Sequence, residues 1–150
     1  MEATIKQQLV QQCRAQLEAR IETLQRSVAT IQAARNNETK SSAGDKYETG
    51  RAMMQMEEDK VLAQLDQAQY QLQQLKQLPS YSGAQIGAGS LVRTQKGRYF
   101  LSVSLGKAII DGDVFHCISI QAPLAHQMIG KTVGDSIAFN EQVDEILEVV

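Results

Sequence analysis

Tryptophan is absent from this 150-residue chain, and aromatic residues make up only 5% of it. So few large rings leave little material for one broad compact core. They suit a chain that spends many residues on an elongated helical element. Proline is missing from residues 1–78, and the first glycine is Gly44, so nothing before that point obliges a helix to stop. Neither sign of charge prevails. The formal net charge is −2, which gives no electrostatic basis for gripping duplex nucleic acid. The two cysteines, Cys13 and Cys117, lie too far apart to match a metal or redox motif. Reduced thiols in a cytoplasmic protein are the simplest expectation. No apolar run is long enough to span a bilayer, and the opening MEATIKQQLVQQCRAQLEAR carries charges too regularly for a secretory leader.

What is present falls into two grammars. Residues 1–78 are dominated by Gln, Ala, Leu, Glu and Arg, all good helix formers. Apolar side chains recur at Leu17, Ile21, Leu24, Val28 and Ile31 with spacings of 4, 3, 4, 3, a heptad seam. Upstream, Ile5, Leu9, Cys13 and Leu17 step by four, as a stutter in the seam would. The 4, 3, 4, 3 pattern returns at Val61, Leu65, Ala68, Leu72 and Leu75. Each segment of roughly 30 residues would be about 45 Å long. Neither stripe can stay exposed, and a short connection near NNETKSSAGD favours antiparallel neighbours. Pairs of positions summing to about 82 set Val28 against Met54, Ile21 against Val61, Leu17 against Leu65 and Val10 against Leu72. Leu24 opposite Glu58 is the one mismatch. Met53, Met54 and Met56 read as seam and gap fillers. The hairpin satisfies its seam within one chain, which predicts a monomer; a coiled coil that dimerises through the seam is the rival.

PSYSG at 79–83 stops the second helix and serves as a linker. Beyond it, RYFLSVSL (98–105) and VFHCISI (114–120) alternate, and DSIAF and EILEVV supply two more short strand-like runs. QKG, DGD and GKTVGD are turn material. Only APLAHQMIG (122–130) reads as a helix, with Pro123 near its start and Gly130 at its stop. The expected fold class is α+β: an antiparallel helical hairpin over 1–78, then a small, mostly antiparallel sheet with one short helix over 84–150. His116 and His126 have no companions at ligand spacing, so no metal site is expected in the protein itself. No nucleophile, Gly-rich phosphate loop or catalytic triad signature is present.

The chemistry-bearing stretch is SSAGDKYETG (41–50). Asp45-x-x-Glu48 has the spacing of a capping box, with Ser42-x-x-Asp45 a rival cap one turn earlier. The same carboxylates could act on a metal. Magnesium keeps its waters and takes one or two protein carboxylates, so an exposed pair would need another protein's active site to complete the shell. Lys40, Lys46, Tyr47 and Arg51 flank the pair and could meet RNA phosphates, a base or acidic groups of a partner, or could simply be solvated.

Gly44-Asp45-Lys46-Tyr47-Glu48-Thr49 resembles the tip motif Gly-Asp-x-x-Glu-Asn of the GreA/GreB transcript cleavage factors of bacterial RNA polymerase. SIQAPLAHQMIGKTVGDSIAF is similar to the same family's C-terminal signature through Pro123, Ile129, Gly130, Lys131, Gly134 and Asp135, and Gly89 with Val92 resembles the opening of its second domain. The resemblance covers essentially the whole chain. Three departures stand out: Thr49 replaces the Asn, Ala52-Met53-Met54 replaces an aromatic-x-Ala-Ala run, and Ala122 replaces a Ser before Pro123. The resemblance implies an N-terminal coiled coil, an FKBP-like second domain and a cytoplasmic, non-enzymatic factor. Its partner would be RNA polymerase, docked at the rim of the secondary channel through Pro123, Leu124, Gly130, Lys131, Gly134 and Asp135. Asp45 and Glu48 would help hold a magnesium ion shared with the polymerase active site and act on the 3′ end of nascent RNA, the factor carrying no cofactor of its own. Relatives that occupy the channel and only modulate or inhibit are the alternative. An FKBP-like isomerase or chaperone is a further one, although Tyr99, Phe100, Phe115 and Phe139 are the only rings available for its pocket.

Overall fold

The computed structural model describes residues 2–41, 45–79 and 83–150, with side chains described for 5–37, 48–79 and 83–150. Two long helices come first, α1 (Glu2–Ser41) and α2 (Asp45–Lys76), as a proline-free run of good helix formers requires. Helix α1 continues through NNETKS, which the sequence pattern assigned to the turn. None of those residues is a breaker, and each costs at most about 0.7 kcal/mol relative to Ala. The connection therefore begins only after Ser41.

The chain forms two compact units, a hairpin unit of Ala15–Leu72 and a sheet unit that joins Met1–Arg14 to Gln73–Val150. In the hairpin unit Leu24, Val61 and Ala68 form the buried centre, with Ile21, Val28, Ile31 and Leu65 packed around it. The heptad positions face inward as their spacing predicts. The register differs. Glu58 is buried, and its Oε1 lies 2.7 Å from Arg35 Nη1. Were Leu24 level with Glu58, Arg35 would stand eleven residues further along α1, about 16 Å away, beyond the reach of its side chain. The pairing is therefore shifted from that register far enough to bring Arg35 within range of Glu58. Met53 and Met56 are exposed and only Met54 is half-buried, so two of the three methionines fill no gap in the seam.

The sheet unit holds six strands: β1 (Leu91–Thr94), β2 (Arg98–Ser102), β3 (Gly106–Ile110), β4 (Asp113–Ser119), β5 (Ser136–Phe139) and β6 (Gln142–Val149). A short helix, α3 (Pro123–Met128), sits between β4 and β5. The strand order is β3-β4-β2-β1-β6-β5. All pairings are antiparallel except β2 with β4, which run parallel in the register Tyr99 to His116 and Phe100 to Cys117. Strands β1 and β3 have no counterpart in the sequence pattern. The RYFLSVSL run breaks after Ser102, and Gly106, at φ 79°, starts a new strand that returns along β4.

Strand side chains alternate between faces. Val92, Leu101, Ile137 and Ile146 form one core with Ile86 and with Ala125 and Met128 of α3. Leu91, Phe100, Phe115 and Cys117 are buried in the opposite phase. The first turns of α1 belong to that side. Ile5 lines a cavity of about 150 Å³ with Leu91, Arg93, Arg98, Asp113, Phe115 and Glu148. Lys6 Nζ donates to Val150 O (3.3 Å), Gln12 Nε2 to Ile109 O (3.1 Å), and Cys13 Sγ meets Cys117 Sγ at 3.6 Å. The four-residue stepping of Ile5, Leu9 and Cys13 thus marks a change of packing partner, from helix to sheet, rather than a stutter within a coiled coil.

Candidate functional site

At the turn of the hairpin, Asp45 is the first helical residue of α2, and Glu48, Thr49 and Arg51 are exposed within its first two turns. Free backbone N–H groups and the positive end of the helix dipole favour carboxylates here, and residues three apart share a helix face. The sequence thus brings two acids to the end of the hairpin, where the local field already supports them. The side chains of Lys40, Asp45, Lys46 and Tyr47 lie outside the described residues, as does the capping geometry expected of Asp45. Among the described residues no group of three or more His, Cys, Asp or Glu side chains could hold a metal.

The predicted docking residues surround α3 and the turn after it. Pro123 opens the helix and is exposed, and Leu124 packs against the core. Gly130 N–H donates to Ile86 O (2.8 Å), and Ile86 N–H donates back to Lys131 O (2.8 Å). Lys131 Nζ reaches Ser136 O (3.0 Å), and Asp135 Oδ2 accepts the Thr132 N–H (2.9 Å). Gly134, at φ 93°, donates its N–H to Ile146 O (2.9 Å), and Ile146 N–H donates to Asp135 O (2.9 Å). The structure brings Gly130, Lys131, Gly134 and Asp135 into one tightly bonded turn, exposed on its outer side. Each has a structural duty there that needs no partner.

Two further arrangements carry no sequence signal. Asp144 of β6 is buried and accepts a 2.7 Å hydrogen bond from Thr94 Oγ1, whose oxygen in turn accepts the N–H groups of Lys96 and Gly97 at 3.2 Å. Burial, reinforced by the nearby Asp144 charge, raises the Tyr99 hydroxyl above its ordinary range, and the Tyr99 ring stacks on His116 at 5.5 Å. This network fixes the β1–β2 turn. Of the four rings named for an isomerase pocket, Phe100 and Phe115 are interior and Tyr99 and Phe139 are partly accessible. The second arrangement is the Cys13–Cys117 contact, between residues 104 positions apart. The two sulfurs share a hydrogen bond that either can donate, and the contact with Cys117 draws the Cys13 thiol below its usual range. The same contact, together with burial, pushes the Cys117 thiol up. Only tertiary structure could reveal the pair.

No protein-family model matches the chain, and no curated protein matches it. Among solved structures it is similar to GreA factor homolog 1 (Gfh1) of Thermus thermophilus, at 20% identity, 94% coverage of each chain and a TM-score of 0.34. A second structure, of the transcription factor Gfh1, is 20% identical, with 93% of this chain and 92% of that one covered and the same TM-score of 0.34. The likeness is distant, and it extends over nearly the whole of both chains.

Proposed function

We propose that this chain is a Gre-type transcription elongation factor that binds bacterial RNA polymerase and stimulates cleavage of backtracked RNA. The observation that carries the reading is the acidic turn: α2 opens on Asp45 with Glu48 exposed one turn in, inside a stretch that resembles the family's tip motif. The sheet unit docks at the rim of the secondary channel by the outer side of the turn holding Gly130, Lys131, Gly134 and Asp135, with Pro123 and Leu124 beside it. The hairpin enters the channel. There Asp45 and Glu48 contribute oxygens to a magnesium ion whose remaining ligands come from the polymerase and the RNA. Lys40, Lys46, Tyr47 and Arg51 lie along the RNA 3′ end. The protein completes another catalyst's site and is not itself an enzyme. It works in the cytoplasm as a monomer, without membrane or duplex DNA contact. No described helix is long and apolar enough to cross a membrane.

A second reading has its own support. Thr49 stands where the family carries Asn, and Met53 is exposed where a packed small-residue run would be. Those departures suit a channel-binding modulator that occupies the same place without promoting cleavage. The experiment is a stalled, backtracked elongation complex with and without the full-length protein. Release of short 3′ fragments supports the first reading. Binding without fragments moves the protein to the second, and failure to bind polymerase overturns both.

A further inference from the structure

We propose that Cys13 and Cys117 form a site of oxidative modification, closing to an intramolecular disulfide that clamps the start of α1 onto strand β4. The two sulfurs lie 3.6 Å apart, in van der Waals contact, and both residues are almost fully buried. They are the only cysteines of the chain and belong to one compact unit, so each has a single possible partner within the molecule. Two polar anchors, Lys6 on Val150 O and Gln12 on Ile109 O, hold the same helical segment over the sheet. A disulfide needs the sulfurs at about 2.05 Å, a closure of roughly 1.5 Å from their present separation. An isolated buried cysteine behaves as a small apolar residue. Two in contact, on elements joined by most of the chain, have a reaction available to them.

The oxidant is a hydroperoxide. The Cys13 thiolate attacks the distal peroxide oxygen, the O–O bond breaks, and Cys13 becomes a sulfenic acid while one water or alcohol leaves. The Cys117 sulfur, giving up its proton, then attacks the Cys13 sulfur, and the S–S bond forms as a second water departs. Two thiols lose two electrons and two protons, and the peroxide is reduced by the same two electrons. The reverse order, with Cys117 oxidised first and Cys13 resolving it, gives the same product, since either sulfur can donate the hydrogen bond they share. The peroxide reaches a buried sulfur only in locally opened states, so the reaction is slow and the resulting bond well protected. It closes a loop of about 100 residues, and a cross-link constrains the unfolded chain more the longer the loop it closes.

The test treats native full-length protein with hydrogen peroxide, quenches it, and labels free thiols in denaturant. The expected product is a monomer two hydrogens lighter, unlabelled, with the Cys13 and Cys117 peptides linked. Its Tm should lie at least about 5 °C above that of the untreated protein and return on reduction. Cys13→Ala and Cys117→Ala should abolish the linked product, while the unsubstituted protein's mass carries the result if either variant misfolds. Two free thiols after treatment, disulfide-linked dimers, sulfinic acid on either residue, or a linked monomer with a lowered Tm would each overturn the proposal.

Discussion

The hairpin unit and the sheet unit reach burial by different routes. In the hairpin most inward side chains follow from a local repeat, and several are only partly buried. Leu24, Val61 and Ala68 are interior, while Ile21, Val28, Ile31 and Leu65 keep part of their surface in water. A charged residue, Glu58, takes a place in the same interior. In the sheet unit the core residues come from strands distant in sequence, and Val92, Leu101, Ala125, Met128 and Ile146 are essentially sealed. A repeat can be written by composition alone, so it tolerates imperfect positions. A core assembled from non-local strands depends on each turn delivering its strand to the right neighbour.

The largest effect should therefore come from the sheet. Leu101→Ala removes a fully buried side chain and should cost about 3 kcal/mol. Ile31→Ala, at a half-buried hairpin position, should cost about 1 kcal/mol. Urea denaturation gives the totals, and hydrogen exchange followed by mass spectrometry assigns each loss to its own unit. Equal losses would erase the contrast.

The next effect probes the charged position of the hairpin. Glu58 Oε1 is held by Arg35, while its Oε2 is buried with no partner among the described residues. Arg35→Met should cost about 2 kcal/mol, because it strands a buried carboxylate. Adding Glu58→Leu should recover most of that loss, since two apolar groups replace a pair whose desolvation was only partly offset. Chemical denaturation of the single and double variants reads the coupling directly. A double variant as weak as the single would mean that Glu58 gains more from its surroundings than this pairing shows.

A smaller effect tests dependence on turns in the sheet unit. Gly89 adopts φ 86°, and a Cβ there would sit 2.8 Å from the backbone oxygen of Pro79. Gly89→Ala should cost about 1–2 kcal/mol through strain and clash together. Gly83 meets nothing within 4 Å and needs no positive φ, so Gly83→Ala should be neutral or slightly stabilising. Thermal melts of the two variants, a few degrees apart, would show whether Gly89 is a conformational requirement.

These contrasts also mark what could be read from residues alone. The seam from Leu17 to Ile31 and from Val61 to Leu75 was legible because its periodicity is local. Its register was not, since NNETKS carries turn-favouring residues that the helix overrides at small cost. Ile5, Leu9 and Cys13 declared a buried face without declaring what would cover it. Strands β1 and β3 were not legible because LVRT shows no alternation of apolar and polar residues and GKAII opens on glycine. The short helix from Pro123 was legible from its Pro and Gly boundary signals. The carboxylate pair at Asp45 and Glu48 was legible as a pattern because its three-residue spacing is local too. The Cys13–Cys117 pair and the Thr94–Asp144 bond join residues that no local pattern relates.

The smallest expected effect on stability falls at that turn, and it separates cap from catalyst. Asn caps a helix about as well as Asp, and Gln serves in a capping box as Glu does. Asp45→Asn with Glu48→Gln should therefore shift stability by less than about 0.5 kcal/mol, whichever role the carboxylates play. The functional consequence differs between the roles. If the pair contributes oxygens to magnesium, the double variant should still bind polymerase but lose most RNA cleavage in a backtracked complex. Raising Mg²⁺ should restore part of it, because weaker ligands can be offset by mass action. If the pair only caps α2, cleavage should persist at the level of the unsubstituted protein. Unchanged melting together with unchanged cleavage would leave Asp45 and Glu48 as a helix cap and place the source of any activity elsewhere in the chain.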